Sequence, residues 1–149
     1  MHKRLYTIRL ALLATLFLSV GSASAYYDSN SYASAPVKVA AVAVTGPMPP
    51  AVKVTDDVLT DKNGMTLYTF DQDKAGSGKS ACHGDCAASW PPLHAADAAK
   101  DIGDFSVVVR NDGRRQWAFK GKPLHLWAGD TKPGDTKGDG VGGVWHTAR

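Results

Sequence analysis

GMTLYTFDQDKAGS, residues 64–77, returns later in the chain as GKPLHLWAGDTKPG, residues 121–134. Set in register, Gly64 meets Gly121, Leu67 meets Leu124, Tyr68 meets His125, Phe70 meets Trp127 and Asp73 meets Asp130. The correspondence continues downstream, where GDCAASW (Gly84 to Trp90) matches GDGVGGVW (Gly138 to Trp145) with one inserted residue. The chain thus holds two copies of one unit, spaced by about 55 residues. Each copy is too short to bury a sufficient core alone, so the two are expected to share one, with pseudo-twofold symmetry.

What each copy is made of follows from its turns. VKVTDDVL and MTLYTF flank Asp61-Lys62-Asn63-Gly64, and Asn-Gly between apolar runs is a hairpin signal. FSVVVR and RQWAF flank Asn111-Asp112-Gly113, and Lys120-Gly121-Lys122-Pro123 turns the chain into LHLW. Every acidic residue is Asp, and 13 of the 15 glycines fall between Gly64 and Gly143. Both residue types favour turns and caps over helix interiors. Only CAASW and HAADAAKD look helical. The expected fold is mainly β: antiparallel hairpins from two repeats packed with pseudo-twofold symmetry, with one or two short helices. The domain should cover residues 52–149, its repeats about 52–93 and 105–146.

The N-terminal part belongs to export rather than to the fold. Lys3, Arg4 and Arg9 precede the uncharged run Leu10 to Val20, and Ala23-Ser24-Ala25 follows. A basic start, a short apolar core and an A-x-A end read as a signal peptide over residues 1–25. The run is shorter than the ~20 residues a membrane span needs. Residues 26–51, low in charge and rich in Ala, Ser and Pro, read as a flexible tether; the other reading gives VKVAAVAV an edge strand. Cleavage after Ala25 removes three of the 17 basic residues and none of the 14 acidic ones. The mature chain is then formally neutral, which gives no support for binding nucleic acid or an anionic membrane.

Tyr68-x-Phe70-x-x-Asp73, the Cys82…Cys86 pair followed by WPPL, NDGRRQWAFKGKPL and the closing GDGVGGVWH together resemble a bacterial family of secreted repeats. Many members are predicted lipoproteins of unknown function, with a Y-x-[FWY]-x-x-D motif. The resemblance spans roughly Val52 to His146 and implies an envelope-facing or secreted two-repeat β domain. Its motif falls on Tyr68, Phe70 and Asp73, and in the second copy on His125, Trp127 and Asp130. The chain departs from the family in two respects: it has no lipid-attachment cysteine, and His125 stands where the second copy usually has Tyr.

The two cysteines admit several chemistries. Covalent haem attachment wants histidine directly after the second cysteine, and here Ala87 stands there. A thioredoxin-like pair wants C-x-x-C in a βαβ setting, and a structural zinc site wants four ligands, one more than Cys82, Cys86 and His83 supply. A disulfide remains. On helical rise the pair spans about 6 Å, inside the Cα range of a bridge. Gly140 occupies the place of Cys86 in the second copy, so that copy folds without one.

Leu67 and Leu124 are expected to be buried. Tyr68 and Phe70 lie on the opposite strand face and either line a groove or enter the core as well. Asp73 and Asp130 are expected to bind loop amides. Calcium at Asp130, Asp135 and Asp139 is the sharper alternative, although their spacing does not match a calcium loop. His83, His94, His125 and His146 raise the possibility of copper or haem iron, with His125 and His146 the leading pair. No nucleophile elbow, phosphate loop or H-E-x-x-H is present. The function expected is an exported, non-enzymatic β domain, periplasmic or secreted. It needs no cofactor, binds an envelope or extracellular partner and has no stable membrane anchor once the signal is removed. The alternative is a small periplasmic redox or metal protein.

Overall fold

The computed structural model describes Val44 and residues 46–149. Residues 1–43 and residue 45, which hold the expected signal peptide and most of the expected tether or edge strand, lie outside the described residues. The elements run β1 (Val52–Thr55), β2 (Val58–Asp61), β3 (Tyr68–Phe70), α1 (Asp85–Ser89), β4 (Phe105–Val109), β5 (Arg115–Phe119), β6 (Lys122–Pro123), a 3-10 turn (Val141–Gly143) and β7 (Trp145–Thr147). They form three small antiparallel sheets, β1-β2, β3-β7 and β4-β5-β6, joined by isolated bridges. The fold is mainly strands in antiparallel hairpins, as expected, with a single short α-helix among the described residues.

Three local expectations are corrected. VKVTDDVL is not one strand but a hairpin, because Asp56 and Asp57 both take positive φ (49° and 63°), the geometry of a type I′ turn. The Asn63-Gly64 turn is present beside it, organised by Asp61, whose Oδ1 accepts the N–H groups of Asn63 and Met65. HAADAAKD forms no helix. Ala95 N–H donates to Arg115 C=O and His94 bridges Gln116, which holds the start of the segment extended along β5. The folded part also begins before residue 52. Pro49 is fully buried, and Val44, Met48 and Ala51 pack on the core, because Val52 N–H and the Pro49 carbonyl close a turn at 3.0 Å.

The repeats interlock. β3 of the first copy pairs with β7 of the second, Tyr68 opposite Thr147 and Phe70 opposite Trp145. The equivalent pairing runs the other way, His125 bridging Pro92, with Leu93 N–H donating to Leu124 C=O and Leu126 N–H to Pro91 C=O. Each copy therefore lends its last strand to the other. Further bonds match across the two copies: Leu67 N–H to Leu59 C=O and Leu124 N–H to Trp117 C=O are both 2.8 Å. At the centre, Tyr68 and His125 exchange backbone bonds of 2.7 and 2.9 Å, so the pseudo-twofold axis passes between two aligned residues.

Strand alternation then divides the interior in two. On one face Leu67 and Leu124, both fully buried, join Val52, Leu59, Phe105, Trp117 and Phe119. On the other, Tyr68, Phe70, Trp90 and Trp145 pack with Cys82. Both sets of alternating residues are core.

Candidate functional site

The motif residues converge at the pseudo-twofold axis, and their side chains cross it. Tyr68 Oη donates to Oδ2 of Asp130 at 2.6 Å and accepts the Gly138 N–H at 3.2 Å. His125 Nε2 meets Oδ2 of Asp73 at 2.9 Å, and its Nδ1 faces the Trp90 carbonyl at 3.3 Å. Each copy's ring thus binds the other copy's aspartate. The second oxygen of each carboxylate takes a loop amide, Ala81 N–H at 2.6 Å for Asp73 and Lys137 N–H at 3.1 Å for Asp130. All four residues are buried. Burial, and then the bond to Asp130, push the Tyr68 phenol well above its ordinary pKa.

Above this pair lies an aromatic column with the same symmetry. Trp90 and Trp145, aligned between the copies, stack at 3.8 Å with planes 4° apart. Phe70 stacks on Trp145 at 4.2 Å and Trp127 on Trp90 at 5.5 Å. Tyr68 presents its edge to Trp90 and His125 its edge to Trp145, at 78° and 84°. The x-position pattern of the motif is now explained: positions one and three share a strand face, so ring one reaches the aspartate while ring three extends the stack.

Cys82 and Cys86 are bonded to each other, with Cα atoms 5.2 Å apart. The bridge ties the buried Cys82 to α1 at the edge of the aromatic cluster. The histidines do not assemble. His125 is buried on Asp73, whereas His146 is half-exposed and bonds Asp71 at 2.9 Å beside Lys122. That bond to His146 holds the Asp71 carboxyl below its ordinary value. His83 and His94 border two different cavities. Among the described residues no group of three or more His, Cys, Asp or Glu is placed to hold a metal ion.

The aspartates considered for calcium are each engaged with the chain itself. Asp130 holds Tyr68 and Lys137, Asp139 accepts the Thr147 N–H, and Asp135 accepts the Thr131 N–H and pairs with Lys137 at 2.9 Å. The Thr131 amide and then Lys137 lower the Asp135 carboxyl to about 2.

Sequence reasoning missed Arg110 and Gln116. Arg110 is buried and donates to Gln116 Oε1 at 2.6 Å and to the Cys82 carbonyl at 2.5 Å; Gln116 Nε2 donates to Leu124 C=O at 2.8 Å. The signal available was a charge closing the apolar run FSVVV, a position that reads as a strand end facing solvent. Surface cavities among the described residues include two with polar or aromatic borders. One, about 400 Å³, is bordered by Arg110; the other, about 550 Å³, is apolar and runs from Pro49 and Pro50 to Ile102 and Trp117.

Comparison with known proteins adds one match. A family model described as a secreted repeat of unknown function, Lipoprotein_15, fits residues 52–94 and again residues 106–149. No curated protein and no solved structure matches the chain. The two matched segments cover more than half of the chain and coincide with the two interlocked copies. The chain therefore belongs to this family of secreted repeats and carries the repeat twice.

Proposed function

We propose that the mature chain is a non-enzymatic binding module of the bacterial envelope, acting in the periplasm or outside the cell through its surface, with the motif as its frame. One observation carries the reading. The chemistry-bearing groups of the motif, Tyr68, His125, Asp73 and Asp130, are buried and bond one another and nearby loop amides. A general acid, base or ligand donor must come within hydrogen-bond reach of what it acts on. A motif closed on itself holds a scaffold and leaves recognition to the outer surface. The disulfide and the family's description as secreted support an oxidising, non-cytoplasmic location.

The test uses protein purified from the exported fraction. It should be colourless and free of stoichiometric copper or haem. Photoreactive residues scanned over exposed positions, Val54 and Val109 among them, should give a discrete covalent adduct in intact cells from at least one position. Stoichiometric metal or haem would favour a redox protein, and the absence of any discrete adduct from surface positions would remove the binding role.

A further inference from the structure

Two departures from the pseudo-symmetry border the same cavity. The first copy carries the Cys82–Cys86 bridge and α1 where the second has Gly140 and a 3-10 turn. The second copy closes its hairpin through Asn111-Asp112-Gly113, with an arginine on either side, where the first closes through Asp56-Asp57. His83, Ala87 and Ala88 from one side and Arg110, Asp112 and Arg114 from the other enclose about 400 Å³. That volume suits a small ligand or the end of a larger one.

Arg110 is the unusual member. Its side chain is 4% exposed, and its terminal nitrogens bond two neutral acceptors, the Gln116 side-chain oxygen and the Cys82 carbonyl. Its Nε–H has no acceptor within hydrogen-bond distance among the described residues. Among the described residues the only carboxylate oxygen within 4.0 Å is Oδ2 of Asp112, and Arg114 already grips that oxygen at 3.0 and 2.7 Å. Two guanidinium charges thus share one carboxylate, which leaves one positive charge unmatched beside a buried donor. Guanidinium groups pair with oxyanions, carboxylates among them, through parallel N–H donors.

The geometry points to this cavity as a binding site for a ligand carrying one carboxylate. That carboxylate takes the Arg110 Nε–H and shares Arg114 with Asp112, while the rest of the ligand lies against Ala87 and Ala88. A single negative charge balances the cavity; a phosphate dianion would be repelled by Asp112. A free organic acid and a polypeptide C-terminus present the same chemistry. The inference rests on the reading of the chain as a binding module and gives it a ligand class.

The test follows the Arg110 Nε–H resonance by NMR in the disulfide-bonded mature protein. The probes are benzoate, a tripeptide with a free C-terminus, its amidated form and inorganic phosphate. A carboxylate should shift the resonance saturably. Asp112→Asn, which removes the internal competitor, should tighten binding up to about fivefold, and Arg114→Gln should weaken it by a similar factor. Both residues are substantially exposed, so neither change threatens the fold. Tighter binding of the free tripeptide than of benzoate, lost on amidation, identifies polypeptide C-termini; equal or tighter binding of benzoate identifies a small acid. No saturable shift with any carboxylate, a shift unchanged in both variants, or tighter binding of phosphate than of benzoate would overturn the proposal. None of those results alters the cross-linking or metal tests of the module itself.

Discussion

Tyr68 carries two hydrogen bonds through one oxygen, to Asp130 and from Gly138, in a site closed to water. Tyr68→Phe keeps the ring against Trp90 but leaves a buried carboxylate oxygen and a glycine amide without partners. It should cost about 2–3 kcal/mol in denaturant unfolding. The raised phenol also sets a sign at alkaline pH. The folded protein keeps the proton while the unfolded chain releases it near pH 10, so stability should fall as pH rises above 10. Tyr68→Phe should remove that part of the slope. His125 plays the same part for Asp73. His125→Tyr restores the donor type that the first copy uses, whereas His125→Phe leaves Asp73 without its ring donor; thermal unfolding should rank His125→Phe as the less stable. The alignment matched Tyr68 with His125 and Asp73 with Asp130 from sequence. It could not show which aspartate each ring meets, because that depends on two strands crossing antiparallel at an axis.

Elements were legible where a turn residue fixed them and illegible where tertiary pairing took over. Asn111-Asp112-Gly113 marked the β4–β5 hairpin correctly. Asp56-Asp57 hid a second hairpin inside an apparent strand, since aspartate enters positive φ less readily than glycine and advertises it less. The Ala-rich segment after His94 has helical composition, but β5 claims its start. The disulfide was legible from spacing and compartment. Replacing Cys82 and Cys86 together by Ser should lower stability by roughly 2 kcal/mol without abolishing the fold, the amount expected for so short a loop. The loop from Asp130 to Gly140 should be less forgiving. A Cβ at Gly138 would stand 2.8 Å from the Tyr68 ring and 3.0 Å from Trp90, so Gly138→Ala should force the phenol off Asp130 and lower the melting temperature markedly. Asp135 holds the same loop. Its depressed carboxyl contributes stability that is present above about pH 4 and lost as pH falls towards 2, a loss Asp135→Asn should abolish.

At the scale of the molecule, the repeat in the sequence translated into exchanged strands, a shared aromatic column and a pair of crossed ring–aspartate bonds. Pseudo-twofold packing was legible because aligned residues repeated in order. The exchange was not, since strand partners leave no mark in a single chain's periodicity. Nor was the cavity beside Arg110, which arises where the copies differ. The central claim is that each motif locks onto the other copy. Two double-mutant cycles on the full mature domain test it most directly, one pairing Tyr68→Phe with Asp130→Asn and one pairing Tyr68→Phe with Asp73→Asn. The account requires a coupling energy of about 1–3 kcal/mol for the first pair, in different copies, and less than about 0.5 kcal/mol for the second, in the same copy. Strong coupling within a copy and none between copies would contradict it.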